Sequence, residues 1–245
     1  MRKILAFLAV FFIFLELPVQ KSFASTIPNQ QPIRGIYVTA PHTKDPLFNQ
    51  LLSLVKNTEL NTMVIDIKDD YGNLTFTPEK NSPYYSVSRS YISNPRRLIQ
   101  TLESNHIYPI ARIVVFKDSV ISVAKPGWTF KTSKGIWRNN RGDAFTNPFL
   151  QEVWDYNIGM AVLAAKMGFN EIQFDYVRFP EKFESIERAL AYDKGVHYAN
   201  LKGNRIAAIT EFVKYARQKL KPYNVKMSVD VFGNATVIPE APGIG

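Results

Sequence analysis

Two aspartates hold the same place on two strand-like segments, and chemistry would have to start there. Asp175 closes the apolar run of Glu171-Ile-Gln-Phe-Asp175-Tyr-Val-Arg178-Phe-Pro180, and Asp230 stands in Ser228-Val-Asp230-Val-Phe-Gly233. A parallel strand covered on both faces is almost wholly apolar, so a charge there needs a partner or a task. If the two segments are sheet neighbours, about 4.8 Å separates their backbones. Their carboxyls would then lie roughly 5–6 Å apart. A nucleophile and an acid/base that cleave a glycosidic bond with retention stand at about that spacing. Arg178 is the expected counter-ion of Asp175, and a dry setting would raise Asp230 enough to donate a proton. The plainer reading is a structural ion-pair network of both acids with Arg112, Arg178 and Lys68.

Side-chain alternation says which residues would join them. Val64, Asp66 and Lys68 share one face of a strand, with Met63, Ile65 and Ile67 on the other; Arg112 interrupts the next strand in the same way. Gln173 goes with Asp175, and Ser228 with Asp230. If the apolar faces meet helices, the charged faces gather at one rim. Asp66 and Lys68 read as a substrate-orienting pair, whereas Asp69 to Asn73 reads as a solvated, self-capped turn. Its spacing does not fit a calcium loop. Further substrate contacts are expected from Arg112, Arg178, Tyr176 and His42, the last being the only histidine near that rim. Trp128 and Trp137 lie in a long loop with Lys125, Lys131, Lys134, Arg138 and Arg141. Their flat rings suit sugar faces, and the charges suit an anionic polymer.

The elements needed to position these groups alternate. Strands are expected over Ile33–Thr39, Thr62–Ile67, Tyr108–Val115, Glu171–Val177 and Lys226–Val231. Helices are expected to begin at Asp45-Pro46, Asn94-Pro95 and Asn147-Pro148, each a capping side chain followed by proline. The third carries Leu150, Trp154, Ile158, Ala161 and Ala165 on one stripe and stops at Gly168. A fourth helical region, broken near Gly195 and Gly203, precedes the last strand. Links into strands are short and links out of strands are long, the asymmetry of a β/α barrel with its site at the strands' C-terminal ends. The fold class is therefore α/β, of the (β/α)8 TIM-barrel type, and incomplete, since about five β-α units are present.

Composition narrows the partners. The chain has 245 residues, 46% hydrophobic, a net charge of +9 and no cysteine, which excludes disulfides and thiolate chemistry. Met1-Arg2-Lys3, an apolar run to Leu17 and Ser22-Phe23-Ala24 have the form of an export signal cleaved after Ala24. That makes residues 1–24 a leader and residues 25–245 one partial barrel domain, secreted or held at the cell surface. Contact with a membrane would come only through an uncleaved leader. Three scattered histidines give no metal centre, and no phosphate-binding glycine motif follows a strand, so no cofactor is expected. Nucleic acid is the poorer reading of the basic charge. Oligomeric state is not legible.

Ile65-Asp66-Ile-Lys68-Asp69-Asp70-x-Gly72, Ala111-Arg112-Ile-Val-Val-Phe116-Lys117-Asp118, the segment around Asp175 and Ser228-Val-Asp230-Val-Phe-Gly233 occur in this order. From about Arg34 to Gly245 the chain thereby resembles the putative glycosyl hydrolase domain family of secreted bacterial proteins. The resemblance implies a barrel related to glycoside hydrolases, with Asp175 at the fourth-strand position where such barrels carry their nucleophile. The expected activity is hydrolysis of a cell-wall or extracellular polysaccharide. The rival expectation is a noncatalytic carbohydrate-binding relative, or an inactive fragment of such a hydrolase.

Overall fold

A computed structural model describes residues 32–44, 46–233 and 237; the leader-like segment and Asp45 lie outside them. Five parallel strands form one sheet: β1 (Gly35–Val38), β2 (Thr62–Lys68), β3 (Tyr108–Val114), β6 (Glu171–Asp175) and β7 (Lys226–Val229). A small antiparallel hairpin, β4 (Lys131–Thr132) with β5 (Gly135–Ile136), lies in the loop after β3. The main sheet runs β1-β2-β3-β6-β7, with every pair parallel. Sequential order without reversal is the wall of a barrel; a doubly wound sheet reverses at a switch point.

Met63, Ile65 and Ile67 of β2, Ala111 and Ile113 of β3, and Ile172 and Phe174 of β6 are fully buried. They belong to one core with the helices α1 (Leu47–Lys56), α2 (Pro95–Ser104), α4 (Gln151–Met167) and α7 (Arg205–Leu220). Each large apolar side chain sealed there stabilises the fold by roughly 1.5–3 kcal/mol. α4 contributes Val153, Trp154, Ile158, Met160, Ala161 and Ala164. It ends where Gly168 adopts φ 108°, returning its amide to Ala164 and Ala165.

The two described Asn-Pro pairs behave differently. Asn94 caps α2 as expected, accepting from the Arg97 amide at 3.0 Å. Asn147 does not cap α4, which begins three residues after Pro148, at Gln151. Its side chain instead accepts from the Phe149 amide and donates to the Asp193 carbonyl at 2.6 Å, tying together the loops that follow β3 and β6.

Those loops carry α3 (Ser119–Ala124), α5 (Phe183–Ile186) and α6 (Gly195–Asn200). Phe130, Phe145, Phe149, Phe179 and Phe183 from both loops form a second apolar cluster. A backbone bridge between Lys131 and Ala191 fastens them further. The strands' C-terminal ends thus carry a packed rim. Among the described residues, no helix is long and apolar enough to cross a membrane.

Candidate active site

Arg112 is the centre of the site. Strand register sets Asp66 of β2, Arg112 of β3 and Gln173 of β6 side by side, and the Arg112 fork reaches forward from that row. Its Nε and Nη2 donate to Asp175 Oδ2 at 2.9 and 2.6 Å. Its Nη1 donates to Asp66 Oδ1 at 2.8 Å and to Asp70 Oδ2 at 3.0 Å. Only a planar guanidinium can serve three carboxylates this way. Burial works against the Arg112 charge, but the Asp66 bond and the charges of Asp66, Asp70 and Asp175 overcome it and raise its pKa.

Asp66 is buried, and that burial raises its pKa against the opposing bonds from Tyr37 and Arg112. The Tyr37 hydroxyl donates to Asp66 Oδ2 at 2.6 Å. Asp70 goes the other way. Burial pushes it up, but Arg112 and Lys117 outweigh that and hold its carboxyl below the usual range. Lys117 Nζ donates to Asp70 Oδ1 at 3.1 Å and stands 3.9 Å from Asp143 Oδ1.

Asp175 and Asp230 face the same way. Gln173 pairs with Ser228 and Phe174 with Val229, so one step further Asp175 stands level with Asp230 on the adjacent strand. The Asp230 amide donates to the Phe174 carbonyl, and Gln173 Nε2 donates to Asp230 Oδ1 at 3.0 Å. Asp230 follows β7 directly and is exposed. Burial of its inner side raises its pKa, the Asp175 charge adds to the rise, and Arg112 opposes it.

Tyr176 turns the chain sharply. It has φ 52°, a left-handed conformation that costs a non-glycine residue about 1–3 kcal/mol and gathers at functional sites. The turn brings its own amide to Asp175 Oδ1 at 2.6 Å. Lys117 Nζ lies 4.6 Å from the centre of the Tyr176 ring, and the Arg178 guanidinium 5.1 Å from it. Arg178 is also 4.4 Å from the Phe232 ring and pairs with Glu181 at 3.2 Å. Burial lowers the Arg178 pKa, with Glu181, Tyr176 and Asp175 opposing.

The fold therefore gathers Asp66, Arg112, Asp175, Tyr176 and Arg178, with Asp230 beside them. One expectation is corrected: the counter-ion bonded to Asp175 is Arg112, not Arg178. A second correction concerns Lys68. The β2–β3 register shifts between Asp66 and Lys68, so Lys68 leaves the inner face. It is fully buried, 2.7 Å from Asp118 and bonded to Asn157 and the Val115 carbonyl. A side chain sealed there touches no substrate.

His42 lies just past β1, exposed, with Nδ1 2.9 Å from the Thr39 hydroxyl. Trp128 is half-buried and packs edge-on against Tyr156 at 5.8 Å, on the flank of the main core. Trp137 is nearer, 6.3 Å from Phe145, whose ring also meets Arg178. Tyr37, Asp70, Lys117 and Gln173 were not foreseen as site residues. Gln173 had a signal in sharing the face of Asp175, and Asp70 and Lys117 had one in lying within the motifs that carry the family resemblance.

No curated protein matches the chain. A solved structure of a hypothetical protein from Ruminiclostridium thermocellum is 33% identical, with a TM-score of 0.68 over 81% of this chain and 98% of that one. An α-galactosidase from Lactobacillus brevis, 13% identical, gives a TM-score of 0.54 over 81% of this chain. An exo-β-N-acetylglucosaminidase from Vibrio harveyi, 16% identical, gives 0.57 over 80%. The chain spans 27% and 35% of those two enzymes, and the likeness establishes a shared β/α-barrel fold. Residues 35–245 match the family described as a putative glycosyl hydrolase domain, and the chain belongs to that family.

Proposed function

We propose that this domain hydrolyses O-glycosidic bonds of an extracellular or cell-wall polysaccharide with retention, using Asp175 as nucleophile and Asp230 as acid/base. The observation that carries this reading is the pairing of unlike carboxyls at one level of adjacent strands. One is gripped by a guanidinium; the other has its pKa raised by burial and by its neighbour. Such divergence of environments separates nucleophile from acid. Carboxyls level with each other on adjacent strands would stand roughly 5–6 Å apart, a spacing that suits a covalent glycosyl intermediate.

In the first step Asp175 attacks the anomeric carbon while Asp230 gives its proton to the departing oxygen. In the second Asp230 takes a proton from water, which displaces Asp175 from the sugar. The Arg112 and Tyr176 N–H groups hold the carboxylate in place for attack and accept its charge again on release. Secretion is part of the proposal and rests on the leader-like start of the sequence.

A second reading, glycan binding without turnover, is favoured by one fact: both Asp175 oxygens are already engaged, which lowers nucleophilicity. The test is trapping with fluorinated glycosyl fluorides followed by peptide mass mapping. Hydrolysis with the adduct on Asp175 supports the hydrolase. Saturable binding of a polysaccharide panel with neither hydrolysis nor adduct establishes the second reading.

A further inference from the structure

We infer that Asp70 and Lys117 form a clamp for a pair of neighbouring sugar hydroxyls, and so set which glycon the site accepts. This deepens the hydrolase reading and rests on it for the identity of the ligand as a sugar. Asp70 leaves the end of β2 and Lys117 follows β3; each points at the other across the Arg112 fork. Each Asp70 oxygen accepts one bond from a protein cation, Oδ2 from Arg112 and Oδ1 from Lys117. A carboxylate offers about four acceptor positions, and the Asp70 side chain is 39% exposed. One acceptor position on each oxygen is therefore left for solvent or ligand.

Lys117 complements this. Of its three N–H donors, one is given to Asp70 at 3.1 Å and one lies toward the Tyr176 hydroxyl at 3.4 Å. Asp143 at 3.9 Å is too far for a hydrogen bond, so the third donor has no partner within bonding distance among the described residues, and the side chain reaches the surface over only 11% of its area. Two acceptors beside one cationic donor match the donor-and-acceptor character of adjacent hydroxyls.

The distance to the reacting acid fits as well. Asp70 and Asp175 bind the same guanidinium, at 3.0 and 2.6 Å, so their near oxygens lie within about 8 Å of each other. One sugar residue seated on Asp175 fits inside that limit, and the Tyr176 ring lies 4.6 Å from Lys117 Nζ at the same rim.

The test compares Asp70→Asn and Lys117→Met with the unaltered full chain. The substrates are para-nitrophenyl glycosides of glucose, galactose, mannose and xylose, together with their mono-deoxy counterparts. Calorimetric titration with the matching methyl glycosides reads binding separately from turnover. Each substitution is expected to lower kcat/KM about 10–100-fold on the parent sugar, and about tenfold less on the deoxy sugar that lacks a clamped hydroxyl. Methyl glycoside affinity should show the same selectivity.

Equal losses on parent and deoxy sugars would overturn the clamp while leaving the hydrolase intact, since Asp70 would then act only through Arg112. Selective loss of binding without hydrolysis by any form would support the clamp and sink the hydrolase. A chain that neither binds nor hydrolyses any of these sugars would overturn both.

Discussion

Replacing Lys68 with methionine separates the two roles its sequence position allowed. Both the ammonium and the Asp118 carboxylate are wholly inaccessible and 2.7 Å apart. Lys68 also donates to Asn157 Oδ1 at 2.8 Å and to the Val115 carbonyl at 3.1 Å. Methionine fills a similar volume but leaves Asp118 without a counter-charge and two acceptors without donors. Removing one partner of a buried pair costs about 3–5 kcal/mol, which for a chain of this size lowers Tm by about 6–20 °C. Thermal and denaturant unfolding, with circular dichroism of the native state, measure it. Adding Asp118→Asn removes the stranded charge and should recover part of the loss, because asparagine can still accept from the Ile121 amide, as Asp118 does at 2.7 Å.

The pH dependence of that variant has a definite sign. Burial raises the Asp118 pKa, and Lys68 opposes the rise, so losing Lys68 raises it further. An acid with a raised folded-state pKa is penalised only where the unfolded chain is ionised. The deficit of Lys68→Met should therefore shrink between about pH 7 and about pH 4.5, toward the unfolded carboxylate value. If Lys68→Met unfolds within about 1 kcal/mol of the parent yet loses glycan binding, the reasoning is wrong and Lys68 belongs to the site.

Asp175→Asn should cut hydrolysis by at least about a thousandfold, while the lost charge-assisted bonds to Arg112 lower the urea midpoint without abolishing cooperative unfolding; parental rates in that variant would exclude the nucleophile role. The same substitution removes the like charge next to Asp230 and should lower the Asp230 pKa, followed by carbon-detected NMR titration; an unmoved Asp230 would mean the two acids are not coupled. Under the hydrolase proposal, activity of the unaltered chain should be lost as pH rises through the raised Asp230 pKa, because the acid must be protonated at the start of turnover. Gly72→Ala should cost about 2–3 kcal/mol in denaturant unfolding, since φ is 103° and an added Cβ would run into the Asp118 carboxylate.

Much of this was legible because period-two alternation is strict where strands are regular. Asp66, Arg112 and Gln173 stand side by side in the register, and Arg112 reaches Asp66 and Asp175 from that row. Lys68 failed because a local register shift breaks that period within β2, and nothing in Asp66-Ile-Lys68 announces one. Tyr37 was missed because β1 is four residues long and half exposed, too short to display a pattern. Asp70 and Lys117 sit in loops 47 positions apart, and only the closure of β2 onto β3 makes them neighbours. Asn147 misled because asparagine before proline serves a loop tie as readily as a helix start.

The backward twist at Tyr176 ties two things together. Its amide fixes one oxygen of Asp175, and the same residue launches the long excursion that carries Phe179, Phe183 and Tyr192 over the rim. The excursion and the acid therefore share a pivot. Changes in the distal turns of that excursion have a direct covalent route, one peptide plane long, to the orientation of the Asp175 carboxylate.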